Sequence, residues 1–110
     1  HDVPFAIKRI YYIHDVPAGV QRGGHAHKKL RQVLWCPYGK ILIKLDDGFE
    51  KAEVLLDSAD KGLIVESNMW RDMLWQQDNS VLCVAADSFY DAADYIRDYE
   101  EFLRHVGAKQ

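Results

Sequence analysis

The sequence predicts a mainly β domain, a sandwich or barrel closed by one C-terminal helix. Three observations carry this. Short apolar runs recur from Phe5 to Ala86 at intervals of roughly ten residues, the spacing of an all-β sandwich or barrel rather than a β–α alternation. Asp46-Asp47-Gly48 is a strong hairpin signal. From Asp91 onward the apolar period changes from alternation to helical spacing. The 110 residues suffice for one core, so residues 1–110 are expected to form a single domain.

The elements follow in order. Residues 5–13, F-A-I-K-R-I-Y-Y-I, are rich in β-branched and aromatic side chains and alternate as a strand. Phe5, Ile7, Arg9, Tyr11 and Ile13 would share one face. Asp15 to Gly19 reads as a turn punctuated by Pro17 and Gly19. A strand around His25 and His27 follows, then a short run Gln32–Trp35 ended by Pro37-Tyr38-Gly39. Lys40–Leu45 and Phe49–Leu56 flank the hairpin turn. Leu63–Glu66, Trp70–Trp75 and Ser80–Ala86 complete the strands. In Asp91–Val106 the apolar residues Tyr95, Ile96, Tyr99, Phe102, Leu103 and Val106 share a helical face. Acidic residues crowd its start, Arg104 and His105 sit in its last turn, and Gly107 caps it. This helix is expected over one end of the sandwich, with its tyrosines as packing residues.

Composition excludes several functions. A formal charge of -3 and a pI near 5.9 give no basic field for nucleic acid. No apolar run approaches the roughly 20 residues of a membrane span. Cys36 and Cys83 lie apart in apolar runs without C-x-x-C spacing, which suits free thiols in a reducing compartment. A cytoplasmic protein without a signal peptide is the expectation. The sequence starts at His1 rather than at a methionine, which suggests a piece of a longer protein or a shortened one.

Chemistry concentrates in Gly19–Gly39, G-V-Q-R-G-G-H-A-H-K-K-L-R-Q-V-L-W-C-P-Y-G. On an extended strand His25 and His27 share a face, with Ala26 behind them. The small residue would let a neighbouring sheet pack closely. Two imidazoles near the fixed cation Arg22 make a candidate acid/base site, since an unperturbed imidazole titrates near 6.5. The spacing from Gly19 through His25, His27 and Gln32 to Gly39 resembles the first motif of the cupin superfamily of small jelly rolls. In metal-binding cupins a Glu stands where this chain has Gln32, and a second motif supplies another His. Here that second region reads Trp70-Arg71-Asp72-Met73, so two imidazoles remain, a poor set for zinc or iron. Arg71 pointing inward would also repel a cation. No metal and no cofactor are expected.

The resemblance becomes specific over four segments: P-F-A-I-K-R-I-Y-Y-I (4–13), R-G-G-H-A-H-K-K-L-R-Q-V-L (22–34), L-D-D-G (45–48) and D-Y-I-R-D-Y-E-E-F-L (94–103). Together they resemble the sugar 3,4-ketoisomerases, or WxcM-like family, which act on dTDP-linked 4-keto-6-deoxy sugars. The resemblance implies metal-independent transfer of a ketone from C4 to C3 through an enediol(ate). It implies His25 as the base, with His27 orienting the sugar or assisting proton transfer. Tyr11, Arg9 or protonated His27 are candidate donors to the enolate oxygen. Arg22 is a candidate for the diphosphate, Gln32 for the sugar or a histidine. Trp35, Trp70 and Trp75 are core candidates first, but Trp70 matches a family tryptophan at the barrel mouth. Where the family often reads Trp-His, this chain has Trp70-Arg71, a change in the sugar pocket. Members usually carry a further N-terminal segment whose strands join a dimer, and a homodimer is expected here. An epimerase on the same sugar and a non-catalytic sugar-nucleotide-binding cupin are the rival readings.

Overall fold

The computed structural model describes residues 3–108, and in it the alternating runs form two antiparallel sheets. One sheet contains β1 (Arg9–Ile13), β8 (Val81–Ala86), β3 (Gln32–Tyr38) and β6 (Gly62–Val65), in that order. The other contains β5 (Lys51–Leu56), β4 (Ile41–Asp46), β7 (Trp70–Trp75), β2 (Gln21–His27) and β9 (Tyr95–Ile96). This is the jelly-roll sandwich expected, with one short helix, α1 (Tyr99–His105). The inward residues of both sheets supply one core. Leu34 and Cys36 of β3 meet Ile41 and Ile43 of β4, Met73 and Trp75 of β7, and Leu82 and Val84 of β8. Each such side chain stabilises the fold by roughly 1.5–3 kcal/mol on burial. Trp75, the largest, is fully buried and donates its indole N–H to the Ser80 carbonyl at 2.8 Å, so no polar cost offsets its packing.

Several boundaries differ from the sequence expectation. β1 begins at Arg9 rather than Phe5. Ile7 is exposed instead of sharing the face of Tyr11 and Ile13. β3 continues through Pro37 to Tyr38. Its pairing with β8 shifts register between Trp35 and Tyr38, where a proline lacking an N–H is tolerated. The hairpin turn is longer than Asp46-Asp47-Gly48 alone. Asp46 pairs with Lys51, and the Asp47 carboxylate accepts the N–H groups of Phe49 and Glu50.

The largest correction concerns residues 91–106. They do not form one helix. Asp91 caps a 3-10 turn, Ala92–Asp94. Tyr95 and Ile96 then extend as β9, opposite His27 and Ala26 of β2. A second cap, Asp98, starts α1, which ends at His105. The free edge of β2 offers hydrogen bonds that a continuous helix would leave unmade, and this tertiary pairing overrides the local period. Nor does α1 cover an end of the sandwich. It lies against the outer face of the five-stranded sheet, where Phe102 packs with Ala26, Trp70 and Ile96. Ala26 is therefore small to receive the C-terminal segment rather than a sheet.

Candidate active site

The Gly23-Gly24 pair sets which way the histidines face. β2 runs in register with β7 from Gln21 opposite Leu74 to Gly23 opposite Asp72, and then His25 stands opposite Arg71. One residue is inserted, a bulge that both glycines permit with φ of 93° and 73°. A Cβ on Gly23 would lie 2.7 Å from Met73 Sδ and 2.8 Å from the Arg71 carbonyl oxygen, so only glycine fits. After the bulge His25 and His27 share the inward face with Arg71, while Ala26 turns outward.

Three aromatic rings then converge. The His25 and His27 rings are 5.0 Å apart and nearly perpendicular. Tyr95 stands 5.1 Å from His25 and 4.3 Å from His27. His27 is fully buried, and its Nδ1 lies 3.2 Å from Asp94 Oδ2. Beside His25 on the paired strand β7, Arg71, also fully buried, donates from Nη1 to Gln32 Oε1 at 2.5 Å and from Nη2 to the Met69 carbonyl at 2.9 Å. The Gln32 amide donates in turn to the Tyr11 hydroxyl at 3.2 Å. Arg9 lies over the Tyr11 ring, with 4.7 Å from guanidinium carbon to ring centre. Among the described residues two buried polar side-chain atoms, Arg9 Nε and His27 Nε2, have no hydrogen-bond partner. Such atoms cost free energy unless something pairs with them.

Burial and charge make this a site of neutral imidazoles. Desolvation, then the Arg71 charge, then His27 push His25 down to about 3. Desolvation and Arg71 push His27 down to about 4, against the opposing pull of Asp94. These values correct the expectation of imidazoles poised near 6.5. Burial also lowers Arg71 to about 10, which leaves it a cation at neutral pH. Burial, followed by Tyr95, raises the Tyr11 phenol above its ordinary value, so it stays a proton donor. Among the described residues Arg71 hydrogen-bonds neutral oxygens, and its positive field reaches both imidazoles.

Of the residues singled out from sequence, the fold brings His25, His27, Tyr11, Gln32 and Arg9 together. Arg22 is exposed on β2, on the far side of the bulge from the histidines. Trp70 stands apart. It lies on the opposite face of β7 from Arg71, packs edge-on against Tyr99, and donates to Asp72. There it lines an outer groove of about 370 Å³ with Lys44, Asp46 and Glu53. The hydrogen bonds of Gln32 go to Arg71 and Tyr11 rather than to a histidine. Among the described residues no three His, Cys, Asp or Glu side chains are placed to hold a metal ion. Sequence reasoning named Arg71 only as a change in the pocket, without a role in the site, and missed Asp94 and Tyr95. A signal existed for Arg71, whose alternation with Met73 and Trp75 turns it inward. Asp94 and Tyr95 carried none, because they read as helix.

The family model described as FdtA, WxcM-like, C-terminal, matches residues 1–107. The chain belongs to the WxcM-like family. A relative in Aneurinibacillus thermoaerophilus, a TDP-4-oxo-6-deoxy-alpha-D-glucose-3,4-oxoisomerase, is 44% identical over 105 residues, spanning 96% of this chain and 76% of its own. A 3,4-ketoisomerase structure from Helicobacter canadensis shares 46% identity with a TM-score of 0.92, covering 96% of this chain and 79% of its own. QdtA, a 3,4-ketoisomerase from Thermoanaerobacterium thermosaccharolyticum, was crystallised as a histidine-to-asparagine variant with TDP-4-keto-6-deoxyglucose. It shares 38% identity with a TM-score of 0.91, covering 94% of this chain and 75% of its own. The jelly roll of this WxcM-like chain is thus the cupin-like fold of these isomerases.

Proposed function

We propose that this chain, as one cupin-like domain, isomerises a dTDP-linked 4-keto-6-deoxyhexose to its 3-keto sugar through an enediolate. The observation that carries the reading is the pair of inward, neutral imidazoles beside the buried Arg71 guanidinium, with the Arg9 charge also acting on His27. His25 removes the C3 proton as its base, leaving an enediolate across C3 and C4. The same proton, or one exchanged with solvent, returns to C4. The oxygens must also exchange a proton, since the C3 hydroxyl becomes a ketone and the C4 ketone a hydroxyl. His27 Nε2 and the Tyr11 hydroxyl are the groups for that transfer. No electron leaves the sugar, so the scheme needs no redox cofactor.

Arg71 has opposite effects on the two ends of this step. It disfavours an imidazolium in the empty cavity, and it favours the anion that forms when the imidazole takes its proton. Both charges develop together as the proton moves, so Arg71 favours the transition state to the extent that its attraction for the anion exceeds its repulsion of the imidazolium. A preorganised donor to such an oxygen is worth roughly 3 kcal/mol. Arg9 Nε, a buried donor without a partner, serves a sugar or phosphate oxygen, and Arg22 serves the diphosphate at the mouth. Gln32 holds Tyr11 and Arg71 in register.

A second copy of the chain is the proposed protein partner. The outer face of the four-stranded sheet exposes Ile10, Tyr12 and Ile64, and β1 leaves an open edge. No described helix is long and apolar enough to cross a membrane. The free thiols Cys36 and Cys83 support a cytoplasmic setting.

Proton NMR of dTDP-4-keto-6-deoxyglucose with the protein in D2O tests the activity. A 3-keto product carrying deuterium is expected, and His25→Asn should retain the ligand without turnover. Conversion to a 4-keto epimer would replace the ketoisomerase with an epimerase. Binding without exchange or conversion would leave a binding module.

A further inference from the structure

We infer that Asp94 is a positioning residue: it fixes His27 as the Nδ1–H tautomer, so that the unpartnered Nε2 carries the lone pair and is the proton acceptor. The inference rests on the reading of His27 as a proton-transfer group, and it adds the residue that sets which nitrogen does the work. A carboxylate only accepts hydrogen bonds, so the imidazole nitrogen 3.2 Å from Asp94 Oδ2 must be the one carrying hydrogen. With His27 neutral, Nε2 is then bare. That atom is buried without a partner, beside His25, Tyr95 and the field of Arg71 and Arg9.

Asp94 is itself held from several sides. Its Oδ1 accepts the Lys29 N–H at 2.8 Å, its Oδ2 the Leu30 N–H at 3.3 Å, and its carbonyl the Lys28 N–H at 2.9 Å. Three successive amides after His27 thus close on one residue, and the Asp91 cap starts the turn that presents it. These bonds hold the carboxylate beside the ring. The arrangement matches the general logic in which a buried carboxylate selects the tautomer of a proton-carrying histidine.

Replacing Asp94 by Asn predicts a specific fault. The Asn oxygen is claimed by the Lys29 N–H, since the reverse orientation would set two donors 2.8 Å apart, whereas this one sets the NH2 against the Leu30 N–H at the longer 3.3 Å. The amide NH2 then faces His27 Nδ1 as a donor, and the imidazole must carry its hydrogen on Nε2. The acceptor in the cavity is lost while the ring stays in place.

The test is a long-range proton–nitrogen correlation spectrum of protein carrying 15N-histidine, at neutral pH, paired with turnover of the keto sugar. The wild type should show His27 protonated at Nδ1. Asp94→Asn should show it protonated at Nε2, with kcat lower by roughly 10²–10⁴-fold and KM little changed. Asp94→Glu, which keeps a carboxylate, should restore the Nδ1–H signature and part of kcat. An Nε2–H wild type, or an Asn variant with unchanged tautomer and unchanged kcat, overturns the assignment. If the Asn variant does not fold, the wild-type and Glu spectra decide. A wild type with the Nδ1–H signature but no turnover sinks the ketoisomerase reading and still supports the tautomer assignment.

Discussion

Acid should unfold this protein through its buried histidine pair. Both imidazoles are buried neutral, and the structure holds His25 down to about 3 and His27 to about 4, against about 6.5 in an unfolded chain. Between those limits the unfolded chain binds protons that the folded protein refuses. Stability therefore rises with pH through this window and is lost as pH falls from 6.5 toward 4 and 3. Going from pH 6.5 to 5 spans about 1.5 units for each ring, or about 2 kcal/mol apiece at about 1.4 kcal/mol per unit. Screening by water at the cavity mouth reduces the sum of both rings, and about 2–4 kcal/mol is expected. That is a large share of the roughly 5–15 kcal/mol that holds a domain together. The carboxyls of Asp47 and Asp87, both held below their ordinary value, add acid lability only at pH below about 4.

The assay is urea denaturation of the unliganded protein at about pH 7 and about pH 5, with ΔG taken from midpoint and slope. The protein should be less stable at pH 5 by the amount given. A His25→Gln/His27→Gln double variant should lose most of that dependence. Equal stability at the two pH values would refute the reasoning, because it would mean that the rings titrate alike in both states.

Two further predictions concern geometry and assembly. Gly23→Ala combines a strained left-handed backbone with the 2.7 and 2.8 Å clashes on Met73 and Arg71. It should cost about 2–4 kcal/mol in thermal or urea unfolding and abolish turnover as the bulge relaxes; a wild-type melting curve would show that the bulge does not need glycine. If the four-stranded sheet pairs with a second copy, sedimentation should give a dimer that Ile10→Arg and Tyr12→Asp convert to monomer. A monomeric wild type would remove the proposed interface.

Much of this was legible in the sequence because it depends on local pattern. The alternation of β4 and β7, Ile41-Leu42-Ile43 and Trp70 to Trp75, states which side chains turn inward without reference to any other strand. The histidine pair follows from the same period of two, and two glycines before it announce an irregular backbone. Those signals, with the segments shared across the family, were enough to name the jelly roll and to single out His25, His27, Tyr11, Gln32 and Arg9, which the fold brings together.

What the tertiary structure alone decided concerns groups that meet across the fold. Tyr95 and Ile96 lie in a run with helical spacing, and only the open edge of β2 draws them into a strand, which carries Tyr95 and Asp94 to His27. Trp70 and Arg71 are neighbours in the chain, yet opposite faces of one strand send the first to α1 and the second to Gln32. The imidazoles lost the basicity their type suggests for a similar reason. A pKa depends on burial and on charges brought near from distant strands, and neither is a property of the residue or of its neighbours in sequence. Sequence period thus determined which side chains enter the barrel, and folding determined what each one meets there.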